Sequence, residues 1–193
     1  EAGVEPESLA ALTFCAQMQG VVLVDRELNA IRNSIGYLDT RATEVFAERM
    51  QRGWPKLEGV NARKLLTSVY LTNIAPGSPK DTLWKLLWLK AHEPENFARA
   101  WKWLDVKDYL VARCTGRACT TADSAHLTCL YDFKGTASRY SEALCRMYGV
   151  DAQLLPEVVE GNTVVGTLGA QAARELGLAE GTPVVPGGGD ISC

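Results

Sequence analysis

A glycine triplet followed by an acid, Gly187-Gly188-Gly189-Asp190, closes the apolar stretch Thr182-Pro183-Val184-Val185-Pro186. Glycines at a strand end let backbone N–H groups approach a phosphate closely, and a carboxylate just beyond them can take the proton of a hydroxyl attacking that phosphate. The same four residues also fit a tight turn with a solvated Asp. A second group stands far off in sequence: Gln17-Met18-Gln19-Gly20, and after it Tyr37-Leu38-Asp39-Thr40-Arg41. Amides and carboxylates pair with sugar hydroxyls, and an aromatic face packs on the apolar side of a sugar ring or carbon chain. Each residue also has a plainer reading: Gln19 as a surface amide, Tyr37 as a core aromatic, Asp39 as a helix cap or the partner of Arg41.

The elements that must position these residues follow from patterning. Leu12 to Ala16 and Gly20 to Asp25 are apolar runs rich in β-branched residues and read as neighbouring strands, with Ser34 to Leu38 as a third. Asp39 or Thr40 can cap a helix from Arg41 to Arg52, with Ala42, Val45, Phe46 and Met50 at helical spacing. Ser78-Pro79 starts a largely buried helix over Lys80 to Ala91, and Pro94 starts another to about Trp101. Leu104 to Val106 reads as a short strand. Helices over Lys107 to Cys114, Thr121 to Cys129, Tyr140 to Tyr148 and Ala170 to Leu176 follow, three of them stopped by Gly116, Gly149 and Gly177. Pro183 to Val185 is the last strand, running into the glycine turn. The expected class is mixed α/β.

Composition narrows the options. The 193 residues are 47% hydrophobic and 22% charged, as in ordinary soluble globular proteins, and at roughly 150 residues per domain they amount to about 1.3 domains. The chain opens on Glu1 in an acidic stretch and closes just past the glycines, so it reads as part of a longer protein. A net charge of −3 offers no general attraction to nucleic acid or anionic lipid. No apolar run reaches the roughly 18 residues that span a bilayer. The most apolar segment, Leu83 to Leu89, is interrupted by Lys85. Six cysteines without a C-x-x-C pair, and only His92 and His126 beside them, give no metal-site spacing and read as reduced thiols, mostly buried. The five tryptophans lie mostly on expected helices and read as core. P-loop, dinucleotide-fold, nucleophile-elbow and zinc-protease motifs are all missing.

Taken in order, several blocks resemble the FGGY carbohydrate kinases, and within them xylulokinase-like members. They are Gln17-Met18-Gln19-Gly20, Tyr37 to Ala42, Lys85-Leu86-Leu87-Trp88-Leu89-Lys90 with His92-Glu93-Pro94-Glu95, and Lys107-Asp108-Tyr109-Leu110 with Thr115-Gly116. Further along come Thr120 to Asp132, Leu154-Leu155-Pro156-Glu157-Val158 and the terminal Gly187 to Asp190.

The resemblance implies an ATP-dependent, Mg2+-requiring sugar or polyol kinase in carbohydrate metabolism, built from two actin-like, ribonuclease-H-like domains with a cleft between them. Residues 1–182 would form the sugar-binding N-terminal domain without its first strands, and residues 183–193 would open the C-terminal nucleotide-binding domain. Asp190 matches the catalytic base; Met18, Gln19 and Tyr37 match positions lining the sugar pocket, with Asp39 in the same block; Gly187, Gly188 and Gly189 would lie near the phosphates. No metal ligand is expected in this stretch. The substrate class would be a ketopentose such as xylulose, the location cytoplasmic, and nucleic acid and membrane would not be partners; the tryptophan-rich middle leaves room for a homodimer interface. These 193 residues alone would be inactive, since the elements that hold ATP and Mg2+ lie elsewhere. Gln19 stands where pentulose kinases of the family often carry His and glycerol kinases an acid, and Ile191 stands where a polar amide is common. Two other readings remain: a non-catalytic sugar-binding or regulatory remnant, and a glycine-loop hydrolase with Asp190 as a metal-binding acid.

Overall fold

The computed structural model describes residues 3, 5–134 and 139–193; residues 1, 2 and 4 of the acidic opening lie outside them, as do 135–138. Strand β1 (Leu12–Ala16) and strand β2 (Val22–Val24) form where the β-branched runs place them. They are not neighbours, however. β1 joins a sheet with the end of the chain, and β2 joins a different pair in the middle of it, so loop 17–20 carries the backbone from one sheet to another. The expected third strand, 34–38, reduces to one bridge between Ile35 and Val21, after which the chain turns.

Helix α1 (Thr43–Met50) follows, then a two-residue hairpin, β3 (Lys56–Leu57) and β4 (Val60–Asn61), and helix α2 (Ala62–Thr72). The patterning reading assigns nothing to α2, and its burial explains why. Leu66, Val69 and Tyr70 face outward, Leu65 and Leu71 pack on the core, and Ser68 and Thr72 are buried, which blurs the usual signal. Local chemistry still defines it: the Asn61 side chain accepts from Lys64 N–H at its start, and Asn73 ends it in the left-handed conformation.

Helix α3 (Thr82–His92) is buried over Thr82 to Leu87, as expected of its composition. Its entry is a turn in which the Asp81 carboxylate accepts from Ser78 N–H and the Ser78 hydroxyl oxygen accepts from Lys80 N–H. Short helix α4 (Pro94–Ala98) leads to β5 (Lys102–Leu104), the antiparallel partner of β2. Helix α5 (Val106–Thr115) then begins at Asp105 and ends at Gly116. Beyond it come β6 (Cys119–Thr121), α6 (Ala122–His126), the hairpin β7 (Tyr131–Asp132) and β8 (Arg139–Tyr140), and α7 (Glu142–Tyr148). The chain finishes with β9 (Glu157–Val159) parallel to β6, β10 (Gly166–Thr167), α8 (Ala170–Leu176) and β11 (Pro183–Gly189).

The largest apolar cluster lies among α1, α3 and α7, where the buried Trp84 ring meets the edges of Phe46 and Tyr148 at centroid distances of 5.6 and 5.5 Å. Trp103 is also buried, Trp88 and Trp101 are half-buried, and Trp54 is 89% exposed, so the tryptophans are core only in part. A second cluster joins α5, α8 and β11 through Val111, Ala173 and Val184. Four cysteines are buried and two, Cys15 and Cys193, are exposed; all are free thiols.

β11 differs from its expected form. It does not stop at Val185 but continues through all three glycines, flanked by β1 in parallel and β10 antiparallel. Thr13 pairs with Val185 and Cys15 with Gly188, so two steps along β1 match three along β11. The extra residue forms a bulge. Gly187 takes it up at φ +70°, where a Cβ would stand 2.0 Å from the Phe14 carbonyl oxygen. Gly149 has nearly the same φ, +74°, and open space around it. Gly149→Ala therefore isolates the cost of the left-handed backbone, about 1–2 kcal/mol, while Gly187→Ala adds an overpacking cost of about 1–3 kcal/mol. Denaturant unfolding is expected to show Gly187→Ala as the more damaging change; equal losses would mean that the bulge tolerates a side chain.

Candidate active site

The carboxyl ends of β1 and β11 lie side by side, and the two groups of chemistry-bearing residues meet there. Asp190 N–H donates to the Ala16 carbonyl at 3.0 Å, so the acid emerges beside the start of loop 17–20, and its residue is exposed. Gly189 passes directly under Met18: a Cβ on it would come within 2.2 Å of Met18 Cγ and 2.3 Å of Sδ. Met18 itself is buried. The Cys15 thiol is pushed above its ordinary range, first by a hydrogen bond with Cys193 and least by the Asp190 carboxylate.

The glycines do two separate things. Gly187 N–H donates to the Gly161 carbonyl at 3.1 Å, and Gly189 N–H donates to Asp123 Oδ2 at 2.8 Å. Those two N–H groups are thus already paired within the protein, and what their residues offer is the lack of a side chain. Gly187 and Gly188, with Thr121, Asp123 and Gly161, line an open groove of about 370 Å³.

On the other side of the site, Gln19 is half-buried and holds a left-handed backbone at φ +66°. The Asp105 carboxylate caps the loop there, accepting from Gln19 N–H at 3.2 Å, from Gly20 N–H at 2.9 Å and from Val106 N–H at 2.7 Å. Tyr37 is 45% exposed, so its ring is not part of the core. Asp39 is occupied: its two oxygens accept from Arg41 Nε and Nη2, and the Arg41 guanidinium stacks over the Trp88 ring at 4.9 Å. Arg41 holds the Asp39 carboxyl below its usual range. Met18 and Asp190 thus meet where β1 and β11 end, and Gln19 and Tyr37 are joined through their carbonyls to one ammonium, that of Lys85, whereas Asp39 turns to Arg41.

Comparison with known proteins gives the family. The profile of the FGGY family of carbohydrate kinases, N-terminal domain, matches residues 1–193. The chain belongs to the FGGY family of carbohydrate kinases. It is 31% identical over 190 residues to the xylulose kinase of Bacillus subtilis (strain 168), an alignment covering 98% of this chain and 35% of that protein. It is 30% identical over 190 residues to the autoinducer-2 kinase of Escherichia coli (strain K12), covering 98% of this chain and 34% of that one. The chain thus spans about a third of the length of these curated relatives. The ligand-bound xylulose kinase from Lactobacillus acidophilus superposes with a TM-score of 0.77 at 24% identity, covering 94% of this chain and 34% of the solved one. The FGGY fold, actin-like and ribonuclease-H-like, is that of this domain.

Two residues that shape this candidate site escape a reading by motif. Asp123 receives Gly189 N–H and the Thr121 hydroxyl, and Thr121 Oγ1 in turn accepts from Lys107 Nζ at 2.7 Å. Lys107 also pairs with Asp108 at 2.6 Å, both about 2% exposed, and Thr120 Oγ1 donates to the other Asp108 oxygen at 2.5 Å. A buried polar chain therefore runs from α5 through β6 and α6 to the residue before Asp190. Asp105 is the second such residue, and the signal for it was its type just ahead of a helix, a cap position.

Burial pushes Asp105 up to about 6, against the pull of Val106, Gly20 and Gln19 N–H groups and with a push from Asp108. The folded protein therefore binds this proton more tightly than the unfolded chain, whose ordinary value is 3.8. The associated stability is present below about pH 4 and is lost as pH rises through about 6. Unfolding free energies of wild type and Asp105→Asn, measured from pH 4 to 7, are expected to shift in the variant's favour as pH rises. A difference that does not vary with pH would contradict this.

Proposed function

We propose that the protein containing this domain transfers the γ-phosphoryl group of ATP to a hydroxyl of a sugar or polyol, with Asp190 as the general base. One observation carries the reading: Asp190 leaves β11 hydrogen-bonded to the end of β1, at the head of the loop bearing Met18 and Gln19. A ketopentose is the substrate class we favour, supported by the xylulose kinase relative at 31% identity.

In this account the acceptor lies against Met18 and the exposed face of Tyr37, with the Gln19 amide paired to its hydroxyls. The Asp190 carboxylate takes the proton of the attacking hydroxyl, and the solvent-facing position of its residue leaves it open to an incoming molecule. The strand Gly187 to Gly189 runs beside the phosphoryl path without side chains to obstruct it. Residues 1–182 are then the sugar-binding domain, and the strand from Pro183 leads to Asp190 and on into the second domain.

ATP with Mg2+ supplies the electrophilic phosphoryl group and offsets its charge. The carboxylate beside the glycines, Asp123, is engaged by Gly189 N–H and the Thr121 hydroxyl, and so does not by itself fit the pair. We assign nucleotide and metal binding to the rest of the protein, and the isolated 193-residue chain is expected to be inactive.

The test is ADP release by the full-length protein across a panel of pentuloses, hexuloses and polyols. At least one compound should be phosphorylated, and Asp190→Asn should lower kcat by about 10²–10⁴-fold while sugar affinity stays within a few-fold. Normal turnover by Asp190→Asn would remove Asp190 from this role. Sugar binding by wild type with no turnover would favour the non-catalytic reading.

A further inference from the structure

Lys85 is fully buried on α3, amid Leu83, Trp84, Leu86 and Leu87. A cation there is costly unless its hydrogens are matched. The ammonium carries three of them and meets three backbone carbonyls: Gln19 at 3.1 Å, Gly36 at 2.9 Å and Tyr37 at 3.2 Å. No carboxylate among the described residues lies within 4.0 Å of it; Asp39, Asp81 and Asp105 act on it only at longer range. The charge is therefore committed to loop carbonyls and not to an ion pair.

Those carbonyls belong to the two segments that carry the proposed sugar ligands. Gln19 is the more demanding of them, because a residue with a Cβ seldom adopts its left-handed backbone, at φ +66°. Its two ends are held by opposite charges: its N–H by Asp105 and its carbonyl by Lys85. On the far side, Lys85 fixes consecutive carbonyls just before and at Tyr37, beyond the bridge of Val21 with Ile35. An apolar side chain of similar length would suit the core around α3, but would take away the donor that the Gln19 and Tyr37 carbonyls face and leave Gly36 with only the 3.3 Å bond from Asp39 N–H.

We propose that Lys85 is a positioning residue for the phosphoryl acceptor: its ammonium holds loop 17–20 against the 36–37 segment, so that the Gln19 amide and the Tyr37 ring address one sugar molecule together. The proposal rests on the reading of Met18, Gln19 and Tyr37 as the sugar-facing residues. It makes the geometry of the acceptor pocket depend on a side chain that never touches the substrate.

The experiment compares full-length wild type, Lys85→Met, Lys85→Arg and the control Lys90→Met; Lys90 stands on the same helix as Lys85, and its exposed side chain bonds one carbonyl, that of Gly149. Steady-state kinetics with the sugar from the panel and with ATP are read beside amide hydrogen exchange. In Lys85→Met the KM for sugar should rise about tenfold or more, with kcat and the KM for ATP within about threefold. Exchange should quicken in peptides covering 17–20 and 36–38 but not in α7 or β11, Lys85→Arg should recover part of the affinity, and Lys90→Met should match wild type. An unchanged sugar KM, or exchange that rises equally throughout the domain, would overturn the proposal. If Lys85→Met does not fold, Lys85→Gln, which keeps two donors without the charge, is judged by the same criteria. A wild type that phosphorylates no sugar would reject the functional reading instead, and the exchange comparison would still decide whether Lys85 clamps the two loops.

Discussion

The parallel pairing of β1 with β11 is the contact on which the rest of the site depends. It joins Leu12 to Val184 and Ala16 to Gly189, opposite ends of the chain, and it ends in the hydrogen bond from Asp190 N–H to the Ala16 carbonyl. Parallel strands cannot be joined by a tight turn, so the intervening helices must bring them together. α5 is central to this, since it packs on both strands and starts at Asp105, the residue that also caps loop 17–20. Pairing, helix packing and loop geometry are thus one mechanical unit. The bulge at Gly187 sets where β11 ends relative to β1, and hence where Asp190 emerges.

Around this unit the domain accumulates buried charge that a folding-only argument would disfavour. Lys85, Lys107 and Asp108 are at most about 2% exposed, and each meets backbone carbonyls, hydroxyls or its partner at hydrogen-bond distance. Replacing such groups by apolar ones of the same shape is often neutral or stabilising, whereas leaving one partner alone is costly. Their placement separates position from packing. The cluster of Trp84, Phe46 and Tyr148 supplies apolar burial, while the charged groups, with Lys85 next to Trp84 on α3, fix the loops and the glycine strand. A phosphoryl-transfer site gains most from such fixed positioning, because the chemistry asks little covalent work of the protein.

Much of this was legible in the residues. The glycine triplet with Asp190, the Gln17 to Gly20 block and the buried helix around Leu83 to Leu89 all stood out by type and spacing, and glycine stops placed the ends of α5, α7 and α8. Pairing partners did not, since periodicity gives a strand's faces but not its neighbours. β1 and β2 looked adjacent because they are adjacent in sequence, while their partners lie far downstream. α2 was silent because its apolar residues are split between two faces, Leu65 and Leu71 toward the core and Leu66, Val69 and Tyr70 outward, whereas of the readings open for Asp39 the pairing with Arg41 is the one the fold adopts. Lys85 was visible only as an interruption in an apolar run; that three carbonyls converge on it is a tertiary fact.

The central claim, that the strand pairing delivers Asp190 to the acceptor held by loop 17–20 and Tyr37, is tested most directly by a crystal structure of the full-length protein with its preferred sugar. The account predicts an Asp190 carboxylate oxygen at hydrogen-bond distance, about 2.6–3.2 Å, from one sugar hydroxyl, with Gln19 on the same molecule. A sugar bound away from Met18, Gln19 and Tyr37, with Asp190 contacting only solvent, would contradict it.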